Sequence, residues 1–232
     1  MSGPFPKRAV VLASGGLDST VTAAVARHAG YELYLLTVAY QQRHAVEIER
    51  AKEVACALKA ARHLVVAVDL GAIGGSALTG DCPVPKDQWG SDPGLGVPVT
   101  YVPGRNLIFL SIAAAQAEVV GASVIYFGAN VVDYSGYPDC RQEFITAVEE
   151  TLRLGTKAGM LGERFEIRAP LLRMTKAEII RLGLDLRAPL QLTHSCYDPL
   201  GTVACGRCDS CLIRRKGFAE AGVVDPIPYA VS

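Results

Sequence analysis

The chain has 232 residues, half of them hydrophobic and 20% charged. That length fits one large domain or one domain with an appendage, and the apolar share excludes intrinsic disorder, because burial can offset the entropy of ordering. Lys plus Arg and Asp plus Glu balance at 23 each, which excludes a strongly basic nucleic-acid footprint over the whole chain, and no direct nucleic-acid partner is expected.

In chain order, Lys7-Arg8 leads a five-residue apolar run over residues 9–13, too short for the apolar region of a signal peptide. That run is the first of five apolar, β-rich stretches, followed by 33–40, 64–70, 124–128 and 165–172. The first four are almost continuously apolar, which predicts strands of a parallel sheet buried on both faces. Helical patterns alternate with them. Residues 19–29 are rich in Ala and Val and stop before Gly30, a suitable C′ residue. Residues 46–58 place Ile48, Ala51, Val54 and Leu58 on one stripe, with Cys56 at its edge as a core residue. Residues 106–120 are apolar nearly all round, which predicts a helix sandwiched between layers. Thr175 and Glu178 form a capping box, opening a helix that runs to Leu182 and ends at Gly183. Strand alternating with helix predicts an α/β fold, a doubly wound parallel five-stranded sheet. Residues 106–132 carry Glu118 as their only charge, but Gln116, Gly121, Ser123, Gly128 and Asn130 interrupt the run, and a membrane span is not expected. Residues 71–104 hold eight glycines and five prolines, the composition of an active-site lid or of a disordered segment. Residues 1–189 are expected to form the α/β domain and residues 190–232 a C-terminal, Cys-bearing appendage.

The turn after the first strand carries Ser14-Gly15-Gly16-Leu17-Asp18-Ser19. Two glycines let backbone N–H groups approach an anion, Ser14, Ser19 and Thr20 add hydroxyls, and the following helix supplies partial positive charge. There is no Walker lysine and no dinucleotide-type Gly-x-Gly-x-x-Gly. Asp18 would repel a phosphate unless it meets Mg²⁺ or caps the helix.

Four of the seven cysteines crowd together as Cys196, Cys205, Cys208 and Cys211. Four thiolates at this spacing can close a tetrahedral shell on Zn²⁺, and a full sulfur shell leaves no open position, so the metal would be structural. An iron–sulfur cluster is the competing reading of the two successive two-residue gaps. Such thiols suit a reducing, cytoplasmic setting better than disulfides do.

Three further blocks lie at strand ends, the edge where open α/β sheets bind ligands. They are Tyr40-Gln41-Gln42-Arg43-His44 with Glu47, Val102-Pro103-Gly104-Arg105-Asn106, and the run from Gly128 to Arg141. Arg43 and Arg105 could clamp phosphate or carboxylate. In the third block Asp133, Tyr137, Asp139 and Arg141 offer carboxylates, a phenol and a guanidinium to a flat polar heterocycle. Lys176 is either a plain first-turn residue or a cation over the phosphates.

The glycine-serine hexapeptide is similar to that of the PP-loop ATP pyrophosphatase superfamily. Together with Ser195-Cys196-Tyr197 and the Cys205-Gly206-x-Cys208-Asp209-Ser210-Cys211 tail, the blocks closely resemble the 7-cyano-7-deazaguanine synthases of queuosine biosynthesis. The resemblance implies an adenine-nucleotide alpha hydrolase-like sheet with a zinc-bearing C-terminal appendage. It implies a reaction in which 7-carboxy-7-deazaguanine is adenylated by ATP and converted to the amide by ammonia. A second ATP then adenylates the amide, and elimination leaves the nitrile, with AMP and diphosphate released. It also implies that Leu12, Ala13, Ser14, Gly15, Gly16, Leu17, Asp18, Ser19, Thr20 and Arg43 hold ATP with Mg²⁺. Asp18, Arg105 and Lys176 would then act in catalysis, and Asn130, Asp133, Tyr137, Asp139 and Arg141 would bind the deazaguanine. The four tail cysteines would hold one zinc, and the chain would form a homodimer. The nearest alternative is a PP-loop sulfur-transfer enzyme acting on tRNA, which the neutral charge and the committed cysteines disfavour.

Overall fold

A computed structural model describes residues 7–40, 46–80, 82–87, 96–132 and 136–230. Five parallel strands are ordered β3-β2-β1-β4-β5, with β1 Arg8–Leu12, β2 Glu32–Ala39, β3 Arg62–Ala67, β4 Val124–Tyr126 and β5 Glu166–Arg168. The helices are α1 Leu17–His28, α2 Val46–Ala57, α3 Arg105–Val120, α4 Gln142–Gly155, α5 Lys157–Met160, α6 Lys176–Asp185 and α7 Asp209–Ala221. Strand alternation sorts the side chains into two cores. Ala9, Val11, Leu33, Leu35 and Val124 face one side and pack under α1, α2, α6 and α7, the last through Phe218. Val10, Leu12, Leu36, Val38 and Ile125 face the other side, under α3, α4 and α5. Two helix layers on a parallel sheet are the doubly wound arrangement that the strand-helix alternation predicts. Chain order reverses between β1 and β4, and a crevice opens beyond the carboxyl ends of those two strands.

Four local expectations change. β3 is an edge strand, and most of its side chains alternate between exposed and half-buried; it is not covered on both faces. Helix α3 buries Leu110, Ala113, Ala114 and Ala117 but leaves Leu107 and Val119 exposed, so one layer covers it and it is not sandwiched. Cys56 is exposed, because Ala51, Val54 and Ala55 carry the buried face of α2. Helix α6 opens on the Thr175–Glu178 capping box but runs on through Gly183 to Asp185. Gly183 is there for packing: a Cβ would stand 2.9 Å from Val21 Cγ2 and 3.1 Å from Leu190 Cδ2. Among the described residues no helix is long and apolar enough to cross a membrane.

Candidate active site

The turn from β1 into α1 follows from close packing. Gly15 has φ +83, and a Cβ on it would lie 2.3 Å from the Glu47 carbonyl oxygen and 2.8 Å from the Ala51 nitrogen. Only glycine fits where the loop presses on the first turns of α2. The loop's N–H groups are directed at hydroxyl oxygens. Ser14 N–H donates to Ser19 Oγ at 3.1 Å and Gly16 N–H to Ser14 Oγ at 3.2 Å. Leu17 N–H donates to Ser195 Oγ at 3.2 Å, across 178 residues of sequence. His194 N–H donates to the Gly15 carbonyl at 2.9 Å, so two consecutive residues of the C-terminal region stitch onto this turn.

Asp18 receives both of its oxygens' hydrogen bonds from Lys176 Nζ, at 2.7 and 2.8 Å, and the lysine side chain is only 8% exposed. Gly217 of α7 makes room for the lysine stem; a Cβ there would fall 2.3 Å from Lys176 Cγ. Lys176 is therefore a buried cation paired with Asp18 at the first turn of α1.

The crevice encloses a cavity of about 260 Å³ lined by Leu12, Ala13, Ser14, Gly16, Leu17, Asp18 and Ser19 on the loop side. Glu47, Arg105, Asn130, Tyr137, Cys140 and Lys176 are in the same lining. Thr20 is buried at the start of α1 and the Gly15 carbonyl accepts from His194 N–H; neither Thr20 nor Gly15 lines the cavity. Arg105 Cζ stands 5.9 Å from the Tyr40 ring centroid. Burial opposes its charge, but Tyr40, Tyr137, Tyr197 and Asp139 more than offset that, and its pKa is raised. Glu47 behaves differently. Burial pushes its carboxyl up to about 7, against the pull of Arg105. The Cys140 thiol is pushed up to about 11 by burial and by Asp139, so at neutral pH it is a thiol and a poor nucleophile.

The far wall is pinned to the start of α3. Asn106 N–H donates to Asp139 Oδ2 at 3.3 Å, and its Nδ2 donates to the Asp139 carbonyl at 3.2 Å. Asp139 Oδ1 is buried with no partner among the described residues, and Asp139 stands behind the cavity lining, which its neighbour Cys140 reaches. Tyr137 shares a 2.7 Å hydrogen bond with Thr100. Asn130 lines the cavity while its Nδ2 donates to the Leu171 and Met174 carbonyls at 2.9 and 2.6 Å, and its Oδ1 accepts from Val132 N–H. It fixes the wall. Arg141 is exposed, donates to the Pro138 carbonyl at 3.1 Å and is not brought to the cavity. Arg43 and Asp133 lie outside the described residues. Glu47 stands in the block that follows the second strand and Ser195 in the Ser-Cys-Tyr block, but the sequence alone assigns neither a role, and Gly217 carries no sequence signal.

The tail cysteines form a second turn at a helix start. The sulfurs of Cys196, Cys205, Cys208 and Cys211 are all buried and within 4.8 Å of one another, a set that could hold a metal ion. Gly206, with φ +78, turns the chain. Backbone N–H groups point at the sulfurs: Cys205 to Cys196 at 3.2 Å, Cys208 to Cys205 at 3.3 Å, Arg207 to Cys205 at 3.4 Å and Tyr197 to Cys208 at 3.5 Å. Such donors stabilise thiolate, the form a metal requires. The turn also carries part of the glycine-rich segment: Lys86 bridges Cys208 in antiparallel fashion, and Lys86 Nζ pairs with Asp198 at 2.8 Å. Behind it, the fully buried Arg214 donates to Thr193 Oγ1 at 2.7 Å and to both Asp225 oxygens at 2.8 and 3.0 Å.

The family model described as "Queuosine biosynthesis protein QueC" matches residues 8–222. The 7-cyano-7-deazaguanine synthase of Myxococcus xanthus is 57% identical over 227 residues, covering 97% of this chain and 99% of that protein. That of Geotalea daltonii is 58% identical over 227 residues, covering 97% of each. Among solved structures, NMN synthetase from Francisella tularensis aligns over 95% of this chain and 79% of its own with a TM-score of 0.50 at 16% identity, a likeness of fold. The chain belongs to the QueC family of queuosine biosynthesis proteins, together with the curated 7-cyano-7-deazaguanine synthases.

Proposed function

We propose that the chain is an ATP-dependent ligase that converts 7-carboxy-7-deazaguanine and ammonia to 7-cyano-7-deazaguanine. The observation that carries the reading is the glycine-serine turn, whose residues Ser14, Gly16, Leu17 and Ser19 line one cavity with Lys176 and Arg105. A carboxylate oxygen attacks the α-phosphorus of ATP and diphosphate leaves into the turn, where helix α1 and Lys176 balance its charge. Ammonia displaces AMP from the acyl adenylate and loses a proton, giving the amide. The amide oxygen attacks the α-phosphorus of a second ATP, again releasing diphosphate, and nitrogen loses one proton to give the imidate adenylate; loss of AMP and of the second nitrogen proton leaves the nitrile. Both steps have the same need, which is to turn a poor oxygen leaving group into AMP inside a cavity that screens anions from each other.

The site residues divide accordingly. Ser14, Gly16, Leu17 and Ser19 grip the diphosphate. Asp18 is the carboxylate that would hold Mg²⁺ brought in with ATP, and that ion neutralises phosphate charge when bound. Arg105 steadies the attacking carboxylate. Tyr137 and Asp139 read the deazaguanine, the unpartnered Asp139 oxygen accepting its N–H groups. Cys140 has no covalent part in this scheme, because adenylation requires no covalent enzyme intermediate. The four tail cysteines fit zinc by number, ligand type and burial, and such a closed shell is structural.

Pure protein incubated with ATP, Mg²⁺, ammonium and 7-carboxy-7-deazaguanine is expected to yield the nitrile by mass spectrometry, with two AMP per nitrile. Absence of nitrile together with absence of substrate-dependent AMP overturns the reading.

A further inference from the structure

Three N–H groups of the phosphate turn are occupied by hydroxyl oxygens, and these hydroxyls come from two distant parts of the chain. Ser14 N–H points at Ser19 Oγ and Gly16 N–H at Ser14 Oγ, both within the turn. Leu17 N–H, the first of helix α1, points at Ser195 Oγ. A hydroxyl oxygen that accepts from such an N–H stands where an anion's oxygen would be accepted, and a hydroxyl can rotate to donate instead. Ser195 lines the cavity beside Gly16; a Cβ at Gly16 would be 3.5 Å from its Oγ.

The segment that carries Ser195 is held on both sides. His194 N–H donates to the Gly15 carbonyl at 2.9 Å. Thr193 is gripped by the buried Arg214 at 2.7 Å, and Cys196 belongs to the four-thiol cluster. The hydroxyl is thus delivered to the turn by a rigid mount outside the local phosphate motif.

We propose that Ser195 is a diphosphate-binding residue: on ATP binding its hydroxyl gives up the Leu17 N–H to a phosphate oxygen and donates its own proton to the departing diphosphate. The inference rests on the ATP-cleaving reading given above. It assigns to the thiol-bearing C-terminal region a direct share in nucleotide binding.

The test is calorimetric binding of three probes, ATP, inorganic diphosphate and AMP, to wild type, Ser195→Ala and Ser195→Thr, with metal content and melting temperature measured on each. Ser195→Ala is expected to weaken ATP and diphosphate about tenfold, which corresponds to ~1.4 kcal/mol. AMP binding should stay within about twofold, and metal content and melting temperature should match wild type. Ser195→Thr, which keeps the hydroxyl, is expected to recover most of the diphosphate affinity. Unchanged diphosphate binding in Ser195→Ala overturns the assignment. So does an equal loss for all three probes, or a loss accompanied by metal release, because a mere brace would act that way. Failure of wild type itself to bind diphosphate would strike the ATP-cleaving reading instead.

Discussion

The phosphate turn and the cysteine turn are built alike and used in opposite ways. Each is a short glycine-bearing turn at the start of a helix, with Gly15 and Gly206 at positive φ and backbone N–H groups converging on a few heavy atoms. In the first, the N–H groups meet hydroxyl oxygens that can rotate away, so an anion can come and go. In the second, they meet sulfurs that would themselves be tied to an ion, so nothing needs to leave. The lesson is that donor geometry alone makes a nest. Whether the nest serves turnover or permanence is set by what the donors face.

The largest effect should come from breaking the permanent side. Cys208→Ser is expected to abolish metal binding, read by elemental analysis, and to cost on the order of 10 kcal/mol of folding free energy. Withdrawing ATP costs far less, about 2.7 kcal/mol for a ligand present at a hundred times its Kd. A Cys208→Ser chain that melts like wild type would erase the contrast.

Next in size is the exchangeable side. Asp18→Ala should lower substrate-dependent AMP formation by about a thousandfold, ~4 kcal/mol, at unchanged folded content by circular dichroism. Asp139→Asn sharpens the comparison, because it touches neither turn. Its kcat/KM for 7-carboxy-7-deazaguanine should fall about a hundredfold, ~2.7 kcal/mol, with ATP binding within threefold. Equal losses for both ligands would move Asp139 out of the heterocycle wall.

The smallest effect is expected at Glu47, in the cavity lining. A carboxyl raised from 4.5 to about 7 holds its proton more firmly in the fold than in the unfolded chain. Folding is therefore penalised as pH climbs from about 4.5 to 7, and the penalty is complete above that. Glu47→Gln should stabilise the protein by about 1–2 kcal/mol at pH 8 and by almost nothing at pH 4, a figure reduced from the full shift because the side chain is half-buried. Denaturant melts at the two pH values measure it.

The parts readable from sequence are those whose determinants are contiguous. The hexapeptide from Ser14 to Ser19, the capping box at Thr175 and the spacing of the tail cysteines all act within a few residues, and each forms the local structure its pattern implies. Strand-helix alternation carries the fold in the same way. What was not readable depends on tertiary neighbours. Gly183 looks like a helix stop, yet Leu190 and Val21 fill the space a side chain would need. Cys56 and the edge position of β3 depend on which layer is missing, which no periodicity reports. Ser195 meets Leu17 across 178 residues, and Lys176 reaches Asp18 across 158, through a gap that Gly217 leaves.

The antiparallel bridge between Lys86 and Cys208, with the Asp87 N–H on the Arg207 carbonyl, has a further effect. It places two basic residues, each a point of tryptic attack, in backbone hydrogen-bonded across to the cysteine turn, whereas a protease takes an extended, unpaired chain. A chain that lost its ion would loosen both strands of that pair together. Demetallated molecules would then be nicked at Lys86 and Arg207 while loaded ones survived, so a brief digestion would report the share of molecules carrying the ion.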